Sequence, residues 1–277
     1  MPVISDAVRT NLPVVKPATF KQSVPAILIG VAAAFGGFLY GYDTGTISGI
    51  LAMEYFRKTF GVFWPVNIPS NFDTANPRPG FDLTTGKQSL VTSILSLGTF
   101  AGSLMGAPIS DAVGRRPGVW IALVIFSIGV IMQTAATTVP LFAGGRVVAG
   151  LGVGIVSTIV PMYQSETAPR WIRGAVVSAY QWAITIGLLV AAIVNKGTSN
   201  IDGTGCYRIP ISIQLGFGGL LGVLFFLIPE SPRWLIKRQR REDACKVLAR
   251  MYSTTVDDEV VQAEAYLIEN NLQIELS

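Results

Sequence analysis

The chain has 277 residues, 50% of them hydrophobic and 14% charged, with a net charge of +4 and a mean hydropathy of +0.50. So few charges cannot solvate an ordinary globular surface, where about a quarter of residues are charged, and a membrane protein is the class implied. The absence of histidine excludes a Ser-His-Asp triad, a His-Glu-x-x-His zinc site and histidine-based pH sensing, and no cofactor is implied.

A bilayer core of about 30 Å asks for roughly 20 apolar residues per helix. Six segments meet that requirement, at about 24–50, 88–110, 118–138, 141–163, 175–195 and 209–229. They predict an all-α, polytopic domain over 24–229, between a polar tail at 1–23 and a linker with short helices at 230–277. The tail lacks the contiguous apolar core of a cleavable signal. Loops on the side of the two termini carry fourteen lysines and arginines against six on the other side, so both termini are expected in the cytosol and the positive charge is assigned to lipid rather than nucleic acid.

The first span carries one full charge, Asp43, in Tyr40-Gly-Tyr-Asp43-Thr44-Gly. After it, residues 51–87 are rich in Pro, Asn and Gly and are expected to form an irregular outer loop. The second span holds Gly98-x-x-x-Gly102-x-x-x-Gly106, expected to be a close-packing stripe inside the bundle. The loop after it reads Asp111-Ala-Val-Gly-Arg115-Arg116. The fourth span carries Arg146 and Gly150-x-Gly-x-Gly154. That glycine run is no nucleotide loop, because no strand precedes it. A charge within a span is costly in lipid and marks a functional site. If spans one to three and four to six are inverted repeats, Asp43 and Arg146 occupy equivalent positions in the outer half of the membrane, where pairing offsets burial. Asp43 is read as alternating between protonated and ionised states against Arg146; a permanent structural ion pair is the alternative.

Pro161-Met-Tyr-Gln-Ser-Glu166-Thr-Ala-Pro169-Arg-Trp-Ile-Arg173-Gly174 follows the fourth span, Gln181 lies about seven residues into the fifth, and Pro229-Glu230-Ser-Pro232-Arg233 follows the sixth. An amide both donates and accepts, which suits sugar hydroxyls; a helix-to-helix hydrogen bond is the alternative for Gln181. Cys206 and Cys245 fall on opposite sides of the membrane in this topology, so no disulfide is expected.

Together these motifs resemble the sugar porter family of the major facilitator superfamily, and most of all the amino-terminal half of fungal hexose transporters. The resemblance implies a six-helix domain of 3+3 inverted repeats that transports a monosaccharide by alternating access, with proton-coupled symport expected at the plasma membrane. It implies Asp43 and Arg146 as the proton-coupling pair, and Gln181, Ile184, Tyr40, Thr44 and Ser157 as sugar-lining positions. Asp111, Arg115, Arg116, Glu166, Arg173, Glu230 and Arg233 would form an inner gating network, with Glu166 set beside Arg173. Ala112 and Pro117 depart from the family's commoner loop and suggest a thinner network. The implied partners are the sugar, a proton, the bilayer and a carboxy-terminal six-helix half, since the resemblance covers only the first half of such a protein. A facilitative uniporter and a non-transporting sugar sensor are the alternatives. A membrane enzyme lacks any nucleophile-base pair or metal-ligand cluster.

Overall fold

The computed structural model describes residues 20–64, 80–169, 171–201 and 203–276. The first span is built from two helices, α1 (Phe20–Ala33) and α2 (Phe35–Ile50). They are separated at Ala34, just before Gly36–Gly37, where missing side chains let the helix bend. There follow α3 (Glu54–Phe60), β1 (Val62–Trp64), β2 (Gly80–Asp82), α4 (Thr85–Val113), α5 (Arg115–Ala135), α6 (Val139–Thr167), α7 (Arg173–Thr198) and α8 (Gly205–Leu227). Three shorter helices complete the described chain: α9 (Pro232–Lys237), α10 (Arg241–Met251) and α11 (Glu259–Leu276). Six helical segments, from Ser23–Ile50 to Gly205–Leu227, are long and apolar enough to cross a membrane, as their composition predicts.

The spans pack mainly as α4 and α5 on α6, α2 on α7, and α8 against α5 and α2. The glycine stripe explains the closest of these contacts. A Cβ at Gly98 or Gly102 would run into the backbone of Val147 or Leu151 on α6, and one at Gly150 or Gly154 into the backbone of Leu95 or Thr99 on α4. Only residues without side chains allow that approach. The core is centred on α6, with Val153, Val156, Ile159 and Tyr163 buried against Val119, Ala122 and Phe126 of α5. Buried amides tie helices to one another where backbone carbonyls would otherwise lack a second partner. Gln164 donates to the Gly30 and Val176 carbonyls at 2.8 and 3.2 Å, and Asn195 to those of Gly45 and Thr46 at 3.2 Å.

The segment expected as an irregular loop at 51–87 is partly regular. Phe56 and Phe60 of α3 bury against Phe142 and Tyr207, and that apolar contact orders a helix the Pro-Gly-Asn composition conceals. Arg57 donates to the Leu51 and Ala52 carbonyls at 3.2 and 2.5 Å, closing the end of α2. Strands β1 and β2 pair antiparallel, with Phe63 opposite Phe81; the middle of the loop and most of the 1–23 tail lie outside the described residues. Among the short helices, α10 and α11 fall where apolar spacing over about 240–252 and 257–270 predicts helices, whereas α9 is an addition. Pro232 in its first turn and Ser231, whose hydroxyl accepts the Trp234 amide at 3.3 Å, start it. Cys206 and Cys245 are buried free thiols.

Candidate functional site

Three constellations lie along α6. Near its start, Arg146 Nη1 donates to Asp43 Oδ1 at 2.9 Å, joining α6 to α2. Asp43 is 0% exposed and Arg146 1%. The pair is not fully satisfied: Asp43 Oδ2 and Arg146 Nε and Nη2 make no hydrogen bond among the described residues. Buried polar atoms are nearly always partnered, so an ion pair held by one contact retains much of its desolvation cost.

Midway along α6, Ser157 lines a groove of about 370 Å3 together with Tyr40 of α2 and Ile184 of α7. Three of the five expected sugar-lining positions are thus brought together. Thr44 turns its hydroxyl to the Tyr40 carbonyl at 3.0 Å and is not in the lining. Gln181 is exposed on α7 outside the groove, next to Trp182, which is 72% exposed. The groove's other walls come from residues the motifs do not mark: Ser96, Thr99, Phe100 and Ser103 of α4, and Tyr180 of α7. Their spacing in the sequence does not single them out.

At the far end of α6 the charged motifs condense around Arg115. Its guanidinium takes Glu166 in two bonds, Nε to Oε2 at 3.0 Å and Nη2 to Oε1 at 2.7 Å, and reaches Asp111 Oδ1 at 3.0 Å. Planar bidentate pairing is the strong form of such contacts. Ser231 Oγ donates to Glu166 Oε2 at 2.6 Å. Gly114 makes the turn at φ 109°, which favours glycine, and aims the first amides of α5 at Glu230. Arg115 N and Arg116 N donate to its carboxylate at 3.0 and 3.2 Å, so Glu230 places negative charge on a helix N-terminus. Arg116 then bonds the carbonyls of Phe225 and Phe226 at the end of α8.

Two expected members lie elsewhere. Glu166 is held by Arg115 and Ser231 rather than Arg173, because Arg173 opens α7 on the exposed side of a cavity of about 320 Å3 that it shares with Glu166 and Arg233. Arg233 pairs with Glu275 of α11 at 2.5 Å. The network is also wider than the motifs suggest. Lys237 pairs with Asp111 Oδ2 at 2.8 Å, Trp234 Nε1 donates to the Asp111 carbonyl at 3.1 Å, and Arg238 bonds the Ala112 carbonyl at 2.5 Å. Linker residues thus supply contacts to the Asp111–Ala112 end of α4 that the motifs do not mark.

The family model described as "Sugar (and other) transporter" matches residues 29–275. The chain is 44% identical, over 94% of its length, to the major facilitator-type transporter ecdD of Aspergillus rugulosus, and 42% identical, over 92%, to the "Probable glucose transporter rco-3" of Neurospora crassa. It is 38% identical, over 90%, to the high glucose sensor RGT2 of Saccharomyces cerevisiae. It spans 46%, 41% and 31% of those relatives, less than half of each. Among solved structures it resembles the proton:xylose symporter XylE bound to 6-bromo-6-deoxy-D-glucose, with a TM-score of 0.77 at 27% identity, covering 91% of this chain and 54% of that one. The chain is a multi-pass membrane protein that belongs to the sugar transporter family of the major facilitator superfamily, with the fold of one six-helix half.

Proposed function

We propose that these residues form the amino-terminal half of a monosaccharide carrier of the plasma membrane, working with a second six-helix half by alternating access and coupling a hexose to protons. The observation that carries this reading is the buried, half-satisfied Asp43–Arg146 pair on α2 and α6, whose helices also wall the groove lined by Tyr40 and Ser157. A proton delivered to Asp43 would cancel its charge and release Arg146, changing the packing of α2 on α6. Tyr40, Ser157 and Ile184 would face the sugar from this half. Gln181, exposed beside them on α7, would reach it across the face that the second half covers.

The Arg115–Glu166–Glu230 cluster would close the cytosolic end, with both termini on that side, and its charge-assisted bonds would break when that end opens. Asp111 and Arg116 belong to the same clamp. Arg173 and Arg233 would act at its rim through the linker helices.

The test is labelled-hexose uptake in cells lacking their own hexose carriers, with the protein expressed alone and together with a carboxy-terminal six-helix half. Uptake that rises in acidic medium and loses that rise in Asp43→Asn, while exchange persists, is expected. Unchanged coupling in Asp43→Asn would sink the proton role. A second reading, glucose sensing without transport, is favoured by the similarity to the high glucose sensor; sugar-dependent signalling in cells that take up no label would establish it instead.

A further inference from the structure

The groove has a wall that the motif residues do not supply. Ser96, Thr99 and Ser103 follow one another along α4, across from Ser157 of α6 and Tyr180 of α7. Three of the hydroxyl protons around this groove are already committed. Thr99 Oγ1 donates to the Ser96 carbonyl at 3.0 Å, Ser103 Oγ to that of Phe100 at 2.9 Å, and Ser157 Oγ to that of Gly154 at 2.8 Å. A hydroxyl whose proton is spent still offers lone pairs as acceptors. Tyr180 is the complement: its hydroxyl is buried and makes no hydrogen bond among the described residues, so neither its proton nor its lone pairs are committed. Its ring is held in place, since any side chain at Gly37 would strike the Tyr180 carbonyl and ring.

No residue lining the groove carries a full charge. A wall of acceptors with the two phenols of Tyr40 and Tyr180 suits a solute rich in O–H donors and without a carboxylate or an amine. We propose that Tyr180, with Thr99 and Ser103, is a ligand-recognising wall for a neutral polyol, in which substrate hydroxyls donate to the α4 side chains and one of them bonds the Tyr180 hydroxyl. The inference rests on the reading of the chain as a sugar carrier and adds to it the residues of α4 and α7 that choose the ligand. A buried phenol that is bonded costs less than one left unpaired, so a ligand hydroxyl of the right reach would be favoured at Tyr180.

Uptake kinetics of the full protein, in cells lacking hexose carriers, separate the possibilities. Glucose and its monodeoxy analogues are compared in the wild type and in Tyr180→Phe, which keeps the ring. Loss of one such bond is expected to raise KM for glucose about tenfold with kcat little changed. One monodeoxy analogue should show the same KM in both proteins, because the bond is missing from either side. Thr99→Val and Ser103→Ala should each single out a different analogue. A KM for glucose that Tyr180→Phe leaves unchanged, or a rise of equal size for every analogue, overturns the recognition role and leaves a packing role. A wild type that neither transports nor binds labelled glucose sinks the carrier reading and this inference together.

Discussion

Replacing Asp43 by asparagine tests how the buried pair is held, independently of transport. Unit charges about 4 Å apart at an effective dielectric near 20 attract by roughly 4 kcal/mol, and removing one partner of a buried pair costs about 3–5 kcal/mol. Arg146 receives a single contact from Asp43, at 2.9 Å, and asparagine keeps an acceptor oxygen there. The loss should therefore fall at the low end, about 3 kcal/mol, or roughly a hundredfold in the folded-to-unfolded ratio. Combining Asp43→Leu with Arg146→Met removes both charges and fills the space with apolar groups, which is often neutral or stabilising. Detergent-solubilised protein followed by tryptophan emission during denaturation reads both variants. The double variant should regain most of the stability that the single one loses. A double variant as unstable as Asp43→Asn would refute the argument that an uncompensated guanidinium is the source of the cost.

At the other end of α6, Glu166→Gln should cost about 1.5–3 kcal/mol, the range for hydrogen bonds to charged groups, because Arg115 keeps Asp111 but loses its bidentate partner; the thermal midpoint reports it. Gly102→Leu should destabilise by about 1–3 kcal/mol or more through overpacking against Leu151, whereas Gly219→Ala should stabilise α8 by roughly 0.5–1 kcal/mol, since nothing lies near its Cβ position. Outside the membrane, hydrogen bonds from the Thr254 hydroxyl and the Val260 amide hold the Asp258 carboxyl below the usual carboxylate range. Its folded pKa is depressed, so the contribution is present above the unfolded value of about 3.9 and fades as pH falls through the lower folded value. Amide exchange at Val260 should accelerate relative to its neighbours in acid, and Thr254→Val should move that transition upward; protection indifferent to both would contradict the cap.

The spans and the Asp43–Arg146 pair were legible because lipid imposes simple rules: length fixes a span, and an isolated charge in one needs a partner. The charged motifs at the far end of α6 were legible as a group but not as pairs. Spacing puts Glu166 and Arg173 at adjacent helix ends, yet Arg173 is exposed and Glu166 is held by Arg115 and Ser231. Helix α9 was hidden by its six-residue length, and the place of Trp234, Lys237 and Arg238 on Asp111 depends on tertiary contact alone. Ser96, Thr99 and Ser103 were hidden differently. Small hydroxyl residues in a lipid-length helix normally bond their own backbone, as Thr99 and Ser103 do, and no pattern announces that the other side of the oxygen faces a groove.

Helix α6 carries Arg146, Ser157 and Glu166, so the ion pair, the groove and the clamp are read by one element. From Arg146 to Glu166 is twenty residues, about 30 Å of rise. Along that length α6 is locked to α4 by backbone contact at Gly98, Gly102, Gly150 and Gly154, and to α5 at Gly152. The close backbone approach at these glycines resists sliding of one helix past another, so α4, α5 and α6 are expected to move as one body. The partners of that body are softer. Asp43 reaches it from α2 through one hydrogen bond, and Glu230 and Ser231 reach it from the α8–α9 junction through bonds that protonation or water can replace. Opening is therefore expected to break contacts at the two ends of α6 while leaving its glycine seams intact. Cross-linking α4 to α6 through cysteines at Gly98 and Gly150 is a poor probe, because the substitutions themselves part the helices. A link between α5 and the α8–α9 junction, by contrast, should hold the clamp shut and stop uptake.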